Sequence, residues 1–285
     1  MLHALLLSGL ALLAAPAAAT DTTFAVPADA RIEIENFNGS VEVRTWDRDA
    51  VSVQASHSER ERVRVRMTGS LVRIDATARY GPTRNIEYVV TVPAKAALRI
   101  SGPFSDVTVN GAGGDVVVET VRGDVHVRGG SGVIELRSVE GLVSLEGGRG
   151  RISLGAVNEG IRVANVIGEL LLETVNGDVV AAGVQSDRVE ASTVNGDIRY
   201  DGTFGERGFY SFATHNGDLS IGVPENVHAT FSVATFNGDM DSYLPIALNE
   251  IRPGRRFSFA LGEGSARVEL ESFNGTIRLR RPAGH

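Results

Sequence analysis

The chain has 285 residues, 33 of them glycine, with 6% aromatic content and a formal charge of −7 carried by interspersed acidic and basic side chains. That balance excludes the broad basic footprint of a nucleic-acid binder. The lack of cysteine excludes disulfides, a thiol nucleophile, cysteine-ligated metals and a lipid anchor on an N-terminal Cys.

In chain order, residues 1–19 read as a secretory signal. An apolar run over 5–15 precedes Ala17-Ala18-Ala19, small residues suited to cleavage, although His3 stands where Lys or Arg is usual. The run is too short to span a bilayer, and no later stretch is longer. The mature chain is expected to begin near Thr20 or Asp21 and to be exported, to the periplasm, the outer cell surface or the medium.

Residues 20–100 read as an N-terminal β region. A strand-turn-strand segment covers 32–43. Strands are then predicted at 50–56, 63–67, 71–76 and 86–92, with turns at 47–49, 68–70 and 80–85, a meander that caps the N-terminal end of the later repeats. Arg60, Arg62, Arg64 and Arg66 alternate with Glu61, Val63 and Val65, so all four share one side of a strand. They form a candidate anion-binding face for lipopolysaccharide phosphates or teichoic acids. The competing reading is a solvated face paired with nearby carboxylates. Arg278, Arg280 and Arg281 repeat the pattern near the C-terminus.

From 101 to 282 one phrase recurs. It reads Val175-Asn176-Gly177-Asp178-Val179, Val194-Asn195-Gly196-Asp197-Ile198, His215-Asn216-Gly217-Asp218-Leu219 and Phe236-Asn237-Gly238-Asp239-Met240. Weaker copies begin at Val121, Val139, Val157 and Phe273, so most steps are 18 to 21 residues. A fixed period of that size indicates stacked repeats. Asn-Gly tolerates positive φ at both residues, and alternating apolar and polar positions flank it, which alone would fit a hairpin. The finer spacing favours a coil. Gly114, Gly123, Gly132, Gly141 and Gly150 fall nine residues apart, giving two short strands and two corners per 18 residues. Matching positions also hold matching residues. The position two before the Asn is Thr120, Ser138, Ala156, Thr174, Thr193, Thr214, Thr235 and Ser272. The expected fold is therefore all-β: a parallel β-solenoid of about 18–21 residues per coil, stacked at about 4.8 Å. Residues 244–264 interrupt the last repeat as a loop or cap.

Asp178, Asp197, Asp218 and Asp239 follow their Gly in successive copies. Stacked carboxylates repel by about 1 kcal/mol in water, so exposure, turn amides or a bound cation must offset them. Calcium is the candidate cation. The calcium nonapeptide offers a check, and Gly129-Gly130-Ser131-Gly132 and Gly147-Gly148-Arg149-Gly150 are followed by Ile134 and Ile152 where its Asp belongs. Asn176, Asn195, Asn216 and Asn237 are expected to form an amide ladder. The histidines show no metal spacing, and His215 replaces an apolar corner residue, which favours packing. No nucleophile or zinc-protease motif is present, and the acids obey the repeat instead of converging on a cleft.

Val26-Pro27, then Phe37-Asn38-Gly39-Ser40-Val41, Val43 and Trp46-Asp47, followed by serial Asn-Gly-Asp turns, resembles a bacterial family of exported proteins with β-strand repeats, provisionally named adhesins and defined by a domain of unknown function. The resemblance covers roughly residues 24–282. It implies a β-solenoid at the cell envelope and carries no catalytic residues. The leading expectation is a non-enzymatic scaffold without cofactor that binds an envelope polymer or protein. A calcium-stabilised repeat and a polysaccharide-active enzyme are the alternatives.

Overall fold

The computed structural model describes residues 18–244, 246 and 256–282. The signal-peptide expectation rests on residues almost wholly outside that range. The described chain is all strand and turn, in two sheets of thirteen strands each. Through the regular repeats, the first sheet contains Phe104–Ala112, Val125–Gly129, Val143–Glu146, Ile161–Ala164, Val179–Val184, Ile198–Gly202 and Leu219–Gly222, each parallel to the next. The facing sheet contains Ala97–Gly102, Val116–Thr120, Ser131–Arg137, Arg149–Gly155, Ile167–Glu173, Arg188–Asn195 and Phe209–Asn216, also parallel. The chain alternates between the sheets, so each pair of strands is one coil. The repeat is a β-solenoid, and the hairpin reading of Asn-Gly is wrong for these turns.

Alternation along each short strand fills the space between the sheets. Val125 and Val127 are buried while His126 between them is exposed. Successive coils place Val107, Val125, Val143, Ile161, Val179, Ile198 and Leu219 in one buried column. β-Branched side chains suit this ladder, because each packs on its counterpart in the next coil. Ile134 and Ile152 are buried core residues, which explains why those glycine turns lack an acid. The longer coils near the C-terminus hold rings instead, with Tyr200 4.9 Å from Phe212. Burial pushes the Tyr200 and Tyr210 hydroxyls up, and Tyr210 donates to the Ser186 carbonyl.

The corner differs from expectation in its cause. None of the Asn residues of the phrase has positive φ; among the described residues the one non-glycine that does is Asn165. Close backbone approach is the constraint these glycines share, with positive φ added at Gly39, Gly123, Gly217 and Gly275. A Cβ on Gly196 would lie 2.1 Å from the Gly177 carbonyl oxygen, and one on Gly217 would lie 2.0 Å from that of Gly196. Backbones of successive coils touch there, and no side chain fits between them.

Both ends are interleaved. The first coil, Arg31–Glu35 and Asn38–Trp46, is not outermost. Leu71–Ala78 and Ile86–Pro93 run parallel to it on its outer side, and the coil at Ala97–Gly102 and Phe104–Ala112 lies on its inner side. The strands predicted between 47 and 91 thus supply a complete further coil. Antiparallel strands extend it outward: Ala50–His57 and then Ala18–Ala25 on one sheet, Glu61–Thr68 on the other. At the far end the last coil, Ala266–Asn274 and Ile277–Arg280, lies between the coil at Phe209–Asn216 and Leu219–Gly222 and the coil at Ala229–Asn237 and Met240–Ser242. Phe257–Leu261, within the stretch expected as a loop or cap, is an antiparallel strand outside Ala229–Asn237.

Candidate binding surfaces

Each corner position forms a column along the solenoid. The buried Thr or Ser hydroxyl donates to the corner carbonyl of the preceding coil: Ser138 to Gly123 at 2.9 Å, Thr193 to Gly177 at 3.0 Å, Thr214 to Gly196 at 2.9 Å. The next residue is exposed and apolar, as at Val121, Val175 and Val194, and ends in a stack of His215, Phe273 and Phe236 with centroids 4.6 and 4.8 Å apart. Phe273 is thus sandwiched between the other two rings. The Asn side chains form an amide chain, with Asn195 donating to Asn176 at 2.9 Å and Asn216 to Asn195 at 2.8 Å. Asn274 comes next, donating to Asn216 at 2.8 Å, and Asn237 follows, donating to Asn274 at 3.0 Å. Where the column lacks Asn, an Arg122–Glu140 ion pair takes its place at 2.7 Å.

The Asp column is bound to the backbone. Asp178 Oδ1 accepts the Asp197 amide at 2.9 Å, and Asp197 Oδ1 accepts the Asp218 amide at 2.8 Å. Asp218 Oδ1 then accepts from Thr276 at 2.7 Å, not from Asp239, because the last coil intervenes. The expected run of four consecutive carboxylates is therefore three, with Asp239 displaced by one coil. Among the described residues no group of three or more His, Asp or Glu side chains is placed to hold a metal ion. The Thr276 amide, with Arg278 adding to it, holds the Asp218 carboxyl below its ordinary value.

The arginine face divides. Arg64 and Arg66 clamp Asp75 on the neighbouring strand, Arg64 Nε at 3.0 Å and Arg66 at 2.7 Å, and bury its carboxylate. Arg60 and Arg62 are exposed with no acidic partner among the described residues. Only half of the predicted face is therefore open to an anion.

A further site was not singled out in the sequence. On the outer face of the first sheet a groove of about 610 Å³ crosses several coils. One wall is the column Thr108, His126, Ser144, Arg162 and Val180, the other Asn110, Arg128, Glu146, Ala164 and Ala182. The Ser144 hydroxyl and His126 Nδ1 are 2.6 Å apart, and Arg128 donates to Glu146 at 3.1 Å. The small side chains of Ala164 and Ala182 lower the second wall. Arg162 projects beside them with no acidic partner among the described residues. The signal available in the sequence was the outward-facing position read every 18 residues, where identities vary instead of repeating.

Residues 30–280 match the family model Toastrack DUF4097. The chain belongs to the Toastrack DUF4097 family. None of the curated proteins matches this Toastrack chain. Among solved structures it is similar to a protein of Bacteroides fragilis provisionally named an adhesin, at 13% identity, covering 92% of this chain and 97% of that one with a TM-score of 0.46. A Parabacteroides distasonis protein provisionally named lipid-binding gives 9% identity, 92% and 97% coverage and a TM-score of 0.44. A Clostridium sporogenes protein provisionally named for cell adhesion gives 8%, 93% and 100%, and 0.25. Likenesses of this strength carry no argument about what the present chain binds. No helix among the described residues is long and apolar enough to cross a membrane.

Proposed function

We propose that this Toastrack protein is an exported, non-enzymatic binding scaffold of the bacterial envelope that takes an acidic polymer along the outer face of its first sheet. The observation that carries this reading is Arg162, a guanidinium without an acidic partner among the described residues, in a groove that spans several coils. Arginine is the side chain suited to paired hydrogen bonds with carboxylate or phosphate. His126 and Ser144, in the same column, supply further polar contacts toward the same ligand. The volume falls within the usual range for ligand sites. The corner acids Asp124, Asp178 and Asp197 have a structural role, since their Oδ1 atoms accept from amides of the next coil. The test is calorimetric titration with an acidic and a neutral polysaccharide of matched length. Arg162→Ala should weaken acidic binding about tenfold, roughly one charge-assisted contact, with fold and melting temperature retained. Equal binding of neutral polymer, or an unchanged affinity in the variant, would remove the reading.

A further inference from the structure

The last coil lies between two coils that are consecutive in the sequence. Corner positions 194, 215 and 236 are separated by equal steps of 21 residues, the spacing of coils that stack directly. The coil at Ala229–Asn237 and Met240–Ser242 also carries every group that its predecessor's corner requires. Thr235 matches Thr214, Asn237 matches Asn216, Gly238 matches Gly217 and Asp239 matches Asp218. Yet these two coils do not touch as neighbours; Ala266–Asn274 and Ile277–Arg280 separate them in both sheets.

The interleaving at the other end needs no displacement. There the first coil precedes both of its neighbours in the sequence, so each has a free face to add to. At the C-terminal end the order is reversed. A chain made from its N-terminus has residues 229–242 available before 266–280, and local pairing precedes distant pairing. We propose that the protein has a second arrangement, in which residues 229–242 stack directly on 209–222, and that the C-terminal coil inserts between them as a built-in conformational switch.

The inserted state has its own fastenings. Arg278 pairs with Asp218 at 2.7 Å, and Arg280 reaches back over the preceding coil to Asp201 at 2.8 Å. Ser272 donates to the Gly217 carbonyl at 3.0 Å, a bond that Thr235 would make in the direct stack. The segment that leads the coil inward wraps the start of the displaced strand. The Glu263 amide donates to His228 Nδ1 at 3.0 Å, and the Ala266 amide to the His228 carbonyl at 3.0 Å. The two states therefore exchange one set of corner bonds for an equivalent set and differ by these fastenings and by the core of the inserted coil.

The chain has no cysteine, so state-specific crosslinks can be read without background. Asn216 and Asn274 are register partners on neighbouring strands, as are Asn274 and Asn237. Asn216 and Asn237 are therefore two strands apart, about 9.6 Å, beyond the reach of a disulfide. N216C/N274C should close fully in the folded protein. N216C/N237C should close when the full chain refolds in an oxidising thiol buffer, and to at least twice the extent when R278A/R280A is added. Failure of N216C/N237C to close in both backgrounds, while N216C/N274C closes, would overturn the proposal. A second measurement uses the unmodified chain. Pulse-labelled hydrogen exchange during refolding should protect Ala229–Asn237 before Ala266–Asn274; protection of both together would also overturn it.

Discussion

At Gly196 one methyl group separates a closed corner from a broken one. Its Cβ would meet the Gly177 carbonyl at 2.1 Å, and both partners are backbone, so neither can turn aside. Gly196→Ala should lower stability by about 1–3 kcal/mol, the range for an overfilled interior, read by thermal or urea unfolding. Gly155→Ala is the matched control: its nearest neighbour is Arg137 Cγ at 3.6 Å, an ordinary contact, and stability should change by less than about 0.5 kcal/mol. If the two variants melt alike, close approach is not why the corner holds glycine. The buried corner hydroxyls also hold successive coils together. Thr193→Val keeps the shape and removes the bond to the Gly177 carbonyl, at a cost of about 1 kcal/mol in the same assay. The corner's residue types were legible in the sequence because a solenoid presents one environment again and again. The close approach that all of the corner glycines share was not, since the positive φ that only some of them adopt selects glycine as well.

The inserted C-terminal strands show what a coil gains from its neighbours. Asp218 receives the Thr276 amide and the Arg278 guanidinium, and its carboxyl is held below the ordinary 3.8. A depressed carboxyl contributes stability above its unfolded value, and that contribution is lost as pH falls through the folded value. The difference in melting temperature between the parent protein and Asp218→Asn should therefore be steady near neutrality and shrink below about pH 4. A difference independent of pH would detach Asp218 from the docking of this coil. The strands between 47 and 93 were readable from alternation, whereas Ala18–Ala25 and Phe257–Leu261, which add antiparallel at the two ends, were not. The order of the coils in space was not readable either, because sequence-adjacent coils usually sit side by side and nothing in residues 229–242 marks them as displaced. The groove was hidden for a related reason. Outward-facing side chains such as His126, Ser144 and Arg162 do not need their own kind as neighbours, so no repeat draws attention to them.

Through the regular repeats from 104 to 222, each coil pairs with the coil before it and the coil after it, as in other repeat proteins. Residues 161–178 comprise one coil. Removing them would place Val179 where Ile161 packs on Val143, and Thr193 and Gly196 over the Glu159 carbonyl that Thr174 and Gly177 now meet. The deletion also removes Arg162 and Ala164 from the groove. Thermal unfolding of this deletion by circular dichroism, alongside its titration with acidic polysaccharide, probes the coil and the groove together. The expected result is a cooperative β-sheet protein with a modestly lower melting temperature and an affinity for the acidic polymer at least about tenfold weaker, as for Arg162→Ala. A chain that fails to fold would contradict the coil as a unit, and one that folds and binds at full affinity would contradict the groove as the site.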